Sequence, residues 1–407
     1  MTSAALPLQG IRVLELGRLL AAPLAAQMLG DMGAEVIKIE RAGRGDEFRH
    51  YGPPFMHDKQ GRRTDQSASF ASTNRNKRGM TIDFAKPEGR EIILELARQS
   101  DVFIENFKTG SLAHYGLDYD AINAVNPDII YLSVTGFGQT GPYAQRPGTD
   151  GAFQAMCGLM AVTGEPAGAP QKAGTFIVDF VTGLFGTIAV LSALRHREIN
   201  QGGGQAIDLA LLDCSLAAMA MRASEYFVDG KEPDRVGNRT PGSAPSQIFS
   251  CSDGDLVIQA GFEDAYRNLC RVVGRPDLAV DPRFATRDNR VVHIDALEPE
   301  LNAALSKQSV AHWFAELSAA GVICAPIYAP GEAFDDPHVV ARGVRVRIPH
   351  PDTGTLDVVA NPIRFSKTPI ETYTAPPKLG EGNADILADL LGYAPDRIAR
   401  LAAEGIL

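Results

Sequence analysis

Apolar and polar positions alternate along GIRVLEL (10–16), recur with helical spacing through APLAAQMLGDMG (22–33) up to a stopping glycine, and alternate again in AEVIKIE (34–40). This pattern predicts one βαβ unit. It continues with a strand at GMTIDF (79–84), a helix at KPEGREIILELARQS (86–100) with Pro87 in its first turn, and strands at DVFIENF (101–107) and PDIIYLSVTGFG (127–138). Strands alternating with helices predict an α/β, doubly wound, mostly parallel, Rossmann-like sheet, whose ligands gather at the carboxyl ends of the strands. The loops after Glu40, Asn106 and Thr135 are therefore the places to look.

Beyond Asp179, FVTGLFGTIAVLSALRHRE is apolar nearly all round, which predicts a buried helix from Phe180; Arg195, His196 and Arg197 suit its C-terminal dipole, and NQGGGQ ends it. A strand, QAIDLAL (205–211), and a helix, DCSLAAMAMRASEYFV (213–228), follow. The Gly- and Pro-rich DGKEPDRVGNRTPGSAPSQ (229–247) reads as a linker or active-site loop. Between 248 and 328 the pattern predicts a smaller α+β domain, with a strand pair around the Asp253–Gly254 turn and helices at 263–274 and 309–320. Paired strands at 343–365 and two helices at 382–406 close the chain. The expected division is 1–200 for the first part of a large domain, 201–247 for a linker helix and loop, 248–328 for the small domain, and 329–407 for the return to the large one.

Composition narrows the class. A chain of 407 residues, 45% hydrophobic and 22% charged, reads as globular with two or three domains. No run approaches the ~18 uninterrupted apolar residues of a membrane span. MTSAALPLQGIRVLEL carries no secretory pattern, so a cytoplasmic location is expected. Five scattered cysteines without a CxxC pair, and eight histidines without an HExxH spacing, predict neither disulfides nor a metal site. The net charge of −10 argues against nucleic acid as a partner, so an anionic ligand needs a local basic patch. NRNKRG (74–79), with Arg75, Lys77 and Arg78, is one candidate, and a solvated loop is the alternative. The first βα turn, LELGRLLAAP, has one glycine where a dinucleotide fingerprint has three.

Asp179 is the oddity. It stands in GTFIVDFVTGLFG (174–186) among apolar, small or hydroxylic residues, where an unpaired buried carboxylate is costly. Either it caps the helix by accepting from the amides of Val181 or Thr182, or it does chemistry. An aspartate of ordinary pKa, ~3.9, is ionised at neutral pH and needs no histidine base to attack a carbonyl. Gly183 and Gly186 leave space for a thiol or a neighbouring backbone to approach.

Seven segments in order carry a resemblance: GIRVLEL through AEVIKIE (10–40), NKRGMTIDFAKPEGR (76–90), DVFIENFKTGSLAHYGLDY (101–119), SVTGFGQTGPYAQRPGTDGAFQAMCGLMAVTG (133–164), VDFVTGLFG (178–186), GQAIDLALLD (204–213) and KLGEGNADIL (378–387). The chain resembles the class III CoA-transferase family, which includes formyl-CoA and carnitine CoA-transferases and, as a branch, the α-methylacyl-CoA racemases. The resemblance implies that Asp179 is the nucleophile, passing through an acyl-aspartyl anhydride and an enzyme–CoA thioester. CoA and acyl-CoA are then substrates, with no permanently bound cofactor. It places Arg41, Asn106, Phe107 and Lys108 against CoA, brings Lys77 and Arg78 close to them, and puts His114 where many relatives have a phosphate-binding arginine.

The racemase branch is similar up to a His–Asp pair that here reads Thr149–Asp150, and a threonine hydroxyl cannot act as the α-proton base near neutral pH. This favours CoA transfer over its alternatives, a racemase or a non-catalytic acyl-CoA-binding protein. Asp150 is then left to position the nucleophile or substrate. Glu263 either matches a racemase carboxylate or simply opens a helix. The loop GNRTPGSAPSQ (237–247), with Arg239, Ser243 and Ser246, suits a second carboxylate, and the expected substrates are small dicarboxylates such as succinyl-CoA with a C4 or C5 acid. The resemblance also implies an interlocked homodimer, with neither nucleic acid nor membrane as a partner.

Overall fold

The alternating strand pattern becomes a parallel sheet in the computed structural model, which describes residues 5–407. The strands β1 (Arg12–Glu15) and β2 (Glu35–Glu40) are followed by an antiparallel pair, β3 (Phe55–His57) and β4 (Arg63–Ser67). The sheet resumes with β5 (Lys77–Thr81), β6 (Val102–Glu105), β7 (Ile130–Thr135) and β8 (Gln205–Ala210). Its spatial order is β5-β2-β1-β6-β7-β8, and every pairing is parallel. Counting sheet strands along the chain, this is the order 3-2-1-4-5-6. Strand order therefore reverses between β1 and β6, where such sheets open a ligand crevice at their carboxyl ends.

The pleat sends alternate residues to two cores. Leu14, Ile37, Phe103 and Tyr131 face the helix Pro87–Arg98 and the two C-terminal helices, Asn383–Leu391 and Pro395–Ala403. Val13, Val36, Val102 and Leu132 face the helix Ala21–Asp31 and the long helix Ile177–Ile199. Burial on both faces explains why β6 and β7 are buried at every position.

The long helix packs closely because Gly183 and Gly186 lie on the contact. A Cβ on Gly183 would fall 2.9 Å from the Ala21 carbonyl oxygen, and one on Gly186 would fall 3.2 Å from Leu132. Gly183 thus serves a neighbouring backbone, and Gly186 the side chains of Leu132 and Ala25. By length and composition alone this helix is apolar enough to cross a membrane, but Val178, Thr187, Val190 and Ala193 are packed inside the protein. The expectation that it is buried all round is corrected: Phe180, Leu184, Phe185 and Ile188 are exposed along its other side.

The chain divides into two compact units. The sheet belongs to the first, which contains the chain up to Gly158, Ala173–Ser224 and His338–Leu407. The same unit holds the hairpin of β12 (Arg345–His350) with β13 (Gly354–Val359). The second unit consists of Leu159–Lys172 and Glu225–Pro337. It contains an antiparallel sheet of β9 (Ser246–Ser250), β10 (Asp255–Gln259) and β11 (Ile323–Pro326), ordered β11-β10-β9. Phe249, Leu256, Ile258, Leu269, Leu301 and Leu317 form its core with three helices. The four-residue β11 is too short to show a period in the sequence.

Candidate active site

The long helix begins at Ile177, so Asp179 lies in its first turn, on the positive end of the helix dipole. It does not cap that helix. The cap comes from Asp150, whose Oδ2 accepts the amides of Val178 (2.8 Å) and Asp179 (3.3 Å). Asp150 is buried, and its Oδ1 accepts from the Gln154 side chain. Gln154 in turn accepts the Ala173 amide at 2.9 Å, securing the segment that leads into the helix.

Relieved of capping, the half-buried Asp179 carboxylate accepts no hydrogen bond among the described residues and has no cationic partner there. Burial, and then the charge of Asp150, push its pKa up to about 7. This corrects the expectation of an ordinary aspartate: the group is poised between its two protonation states near neutrality. A desolvated carboxylate without hydrogen bonds is a better nucleophile than a hydrated one. Thr149, just before Asp150, is exposed.

At the crevice between β1 and β6, the Asn106 side chain spans the two strand ends. Its Oδ1 accepts the Arg18 amide at 2.8 Å, and its Nδ2 donates to the Arg18 carbonyl at 2.7 Å. The Phe107 ring lies under the Arg18 guanidinium, 4.6 Å from ring centre to Cζ, and edge-on to Phe84. Lys108 and Arg41 are exposed at the carboxyl ends of β6 and β2. His114 is exposed in the short helical turn Leu112–Tyr115. Three of the expected CoA residues thus follow one another at the end of β6, with a fourth, Arg41, at the end of β2. Arg18 joins them; a single arginine in an apolar turn gave no periodic signal.

The basic segment 74–79 is a correction. β5 starts at Lys77, two residues before the expected strand, so the segment is a strand entry rather than a free loop. Lys77 is buried, and its ammonium is used by Glu15 (2.8 Å), Asn74 (2.9 Å) and the Pro23 carbonyl (2.9 Å). Arg75 is likewise taken by Asp31. Arg78 pairs with Glu35 at 2.7 Å and Asp389 at 3.3 Å. Its neighbour in register is Ile37, near the amino end of β2, four residues from Arg41 and so about 13 Å away along the strand.

The second unit holds the remaining candidates. Arg239 is corrected as a free carboxylate receptor, since its guanidinium is committed to Asp295 (2.8 Å) and Glu298 (2.6 Å). Ser246 is buried and donates to Thr240, and Ser243 is packed against Gly261. The Glu263 carboxylate opens the helix Glu263–Val272 and accepts the Arg287 amide at 3.0 Å, which lowers its pKa. No cluster of metal-ligating side chains occurs among the described residues.

The chain is similar to known proteins across nearly its whole length. Residues 8–383 match the family described as CoA-transferase family III. A succinate–glutarate CoA-transferase from Agrobacterium fabrum is 42% identical over 384 residues, covering 94% of this chain and 96% of its own. A succinyl-CoA:glutarate CoA-transferase from Mus musculus is 36% identical over 401 residues, covering 98% and 90%. The crystal structure of a CaiB/BaiF family protein from Brucella suis superposes with a TM-score of 0.86 at 42% identity, over 95% of this chain and 100% of that one. By this match across nearly its whole length, the chain belongs to CoA-transferase family III.

Proposed function

We propose that the protein transfers CoA from succinyl-CoA to a small dicarboxylate such as glutarate, through covalent intermediates on Asp179. The carrying observation is that Asp150 caps the long helix, leaving the Asp179 carboxylate without a hydrogen bond. An Asp179 oxygen attacks the thioester carbonyl carbon, the C–S bond breaks, and CoA leaves as thiolate, giving a succinyl-aspartyl anhydride. The thiolate attacks the aspartyl carbonyl, releasing succinate and leaving Asp179 as a CoA thioester. The acceptor carboxylate displaces the thiolate to form a second anhydride, and the thiolate then attacks the acceptor's acyl carbon. The new acyl-CoA departs and Asp179 is restored as a carboxylate.

In this reading Arg41, Lys108 and His114 meet the CoA phosphates, while Phe107 and Asn106 line the path of the adenine and pantetheine. The choice of dicarboxylates rests on the names of the relatives. The absence of a histidine at Thr149 disfavours the racemase alternative.

Incubation with succinyl-CoA followed by hydroxylamine is expected to leave a hydroxamate on Asp179, read by mass spectrometry. Asp179→Asn is expected to form none and to lose at least ~1,000-fold in kcat. An active wild type with no adduct, exchanging the α-proton of an acyl-CoA with D2O, would establish the racemase instead. We also infer a homodimer, because the exposed Phe180, Leu184, Phe185 and Ile188 make an apolar stripe of a kind that subunit interfaces bury. Sedimentation showing a stable monomer at micromolar concentration would contradict it.

A further inference from the structure

Glu105 ends β6 immediately before the Asn106–Phe107–Lys108 loop and is buried, although no cation is hydrogen-bonded to it among the described residues. Its Oε2 accepts the Phe107 amide at 2.7 Å, and its Oε1 accepts the Ser133 hydroxyl from β7. Ser133 Oγ also accepts from the Gln139 side chain at 2.7 Å, and the Gln139 amide donates to Asp208 of β8 at 2.9 Å. Thr109 adds a bond to the Gly138 carbonyl at 3.3 Å. These groups surround a cleft of about 240 Å³, lined by Glu105, Phe107, Lys108, Ser133, Gln139 and Asp208 among others.

We propose that Glu105 is a positioning residue for CoA binding: it ties the Phe107 backbone to Ser133 of β7, and through Gln139 to β8, while Asn106 ties the same loop to Arg18 in the turn after β1. The proposal rests on the assignment of that loop to CoA made above. A carboxylate offers two acceptors and meets two donors, the Phe107 N–H and the Ser133 O–H. A glutamine of the same size fails in either orientation. Its NH2 would face the Phe107 N–H, or it would face Ser133 Oγ, which already accepts from Gln139 and whose own proton would lose its acceptor. Protonation of Glu105 creates the same conflict.

Burial pushes the carboxyl up to about 7, against the Ser133 and Phe107 bonds and the charge of Arg18. The other charged groups lining the cleft are Lys108 from its own loop, Asp118 and Asp120 from the following turn and helix, and Asp208 from β8. Affinity for the CoA thioester is therefore expected to fall as pH drops through 7.

Steady-state kinetics on the full chain with succinyl-CoA test this. At pH 8, Glu105→Gln is expected to raise KM for succinyl-CoA about tenfold, the loss of roughly one buried hydrogen bond, with kcat within about twofold of wild type. Between pH 8 and pH 6 the ratio of the variant's KM to that of the wild type is expected to fall toward one, since the titration of Asp179 acts on both proteins alike. Ser133→Ala, which removes one of the two bonds with less disturbance, is expected to shift KM in the same direction and carries the test if Glu105→Gln does not fold. Unchanged KM in the folded variants, or a loss confined to kcat, overturns the proposal. Phe107→Ala and Lys108→Ala separate the two levels of the argument. If they too leave KM unchanged, the loop does not bind CoA; if they raise it while Glu105→Gln does not, only the positioning role fails.

Discussion

Two groups of carboxylates in the first unit meet the cost of burial in opposite ways. Around the ends of β1 and β2, Glu15, Glu40 and Asp46 are buried together with Lys38, Lys77 and Arg49. Lys38 Nζ lies 3.2 Å from Glu15 and 3.0 Å from Asp46, and Arg49 clasps Glu40 through Nε (2.7 Å) and Nη2 (2.6 Å). Burial disfavours the Lys38 charge, yet Glu15, Asp46 and Glu40 outweigh it and raise its pKa above the ordinary lysine value. At the start of the long helix, Asp150 and Asp179 have no such cations among the described residues, and Asp179 rises to about 7. Between these two groups the difference is that of held charges and a bare one; Glu105, also without a hydrogen-bonded cation among the described residues, is instead held by two hydrogen-bond donors. Compensated charges hold loops: Lys38 donates to the Gly17 carbonyl at 2.8 Å, and Asp46 accepts the amide of Leu19, a non-glycine residue with φ of 63°. The uncompensated carboxylate of Asp179 holds no loop, which fits the nucleophilic role proposed for it.

The largest expected effect breaks the compensated group. Lys38→Met leaves Glu15 and Asp46 buried beside one cation fewer, and is expected to cost about 3–5 kcal/mol of stability, read as a lowered urea midpoint. A loss under ~1 kcal/mol would mean that the cluster is not held by its charges.

Asp179→Asn should act in the opposite sense. The folded pKa of about 7 lies above the unfolded value near ~3.9, so the wild type loses stability as pH rises from about 4 to 7 and bears the full cost above that. Removing the charge is expected to add about 1–2 kcal/mol at pH 8, allowing for the carboxylate's partial solvent contact, with the gain reduced by more than half at pH 5. A variant less stable than wild type at pH 8 would place Asp179 among the structural carboxylates.

Legibility followed locality. The sheet could be read because helices cover both faces of it, so each strand carries a continuous or alternating apolar signal over a few residues. Asp179 stood out because its neighbours along the chain are apolar. What escaped was set by partners far away in sequence. The cap of the long helix comes from Asp150, 28 residues before the amide it accepts, and Arg239 finds Glu298 59 residues later. Glu105 carried no signal of its own within DVFIENF because Ser133, which shares its burial, lies 28 residues on. Lys77 and Arg78 resembled a solvated basic loop because composition does not reveal that β5 begins there.

The smallest effect tests that last misreading. Arg78 is about one-third exposed and pairs with Glu35 and Asp389 near the amino end of the sheet. Burial works against the Glu35 carboxylate, and Arg12 and Arg78 together keep its pKa lowered. Such an exposed pair is worth little, so Arg78→Ala is expected to change stability by no more than ~0.5 kcal/mol and to leave KM for succinyl-CoA unchanged. Arg41→Ala, at the carboxyl end, is expected to raise that KM by about three- to tenfold, more at low salt than at high. Side-by-side kinetics of the two variants at two ionic strengths decide the matter. If Arg78→Ala matched Arg41→Ala in both size and salt dependence, a paired cation would be serving the ligand, and pairing would no longer distinguish scaffold charges from working ones.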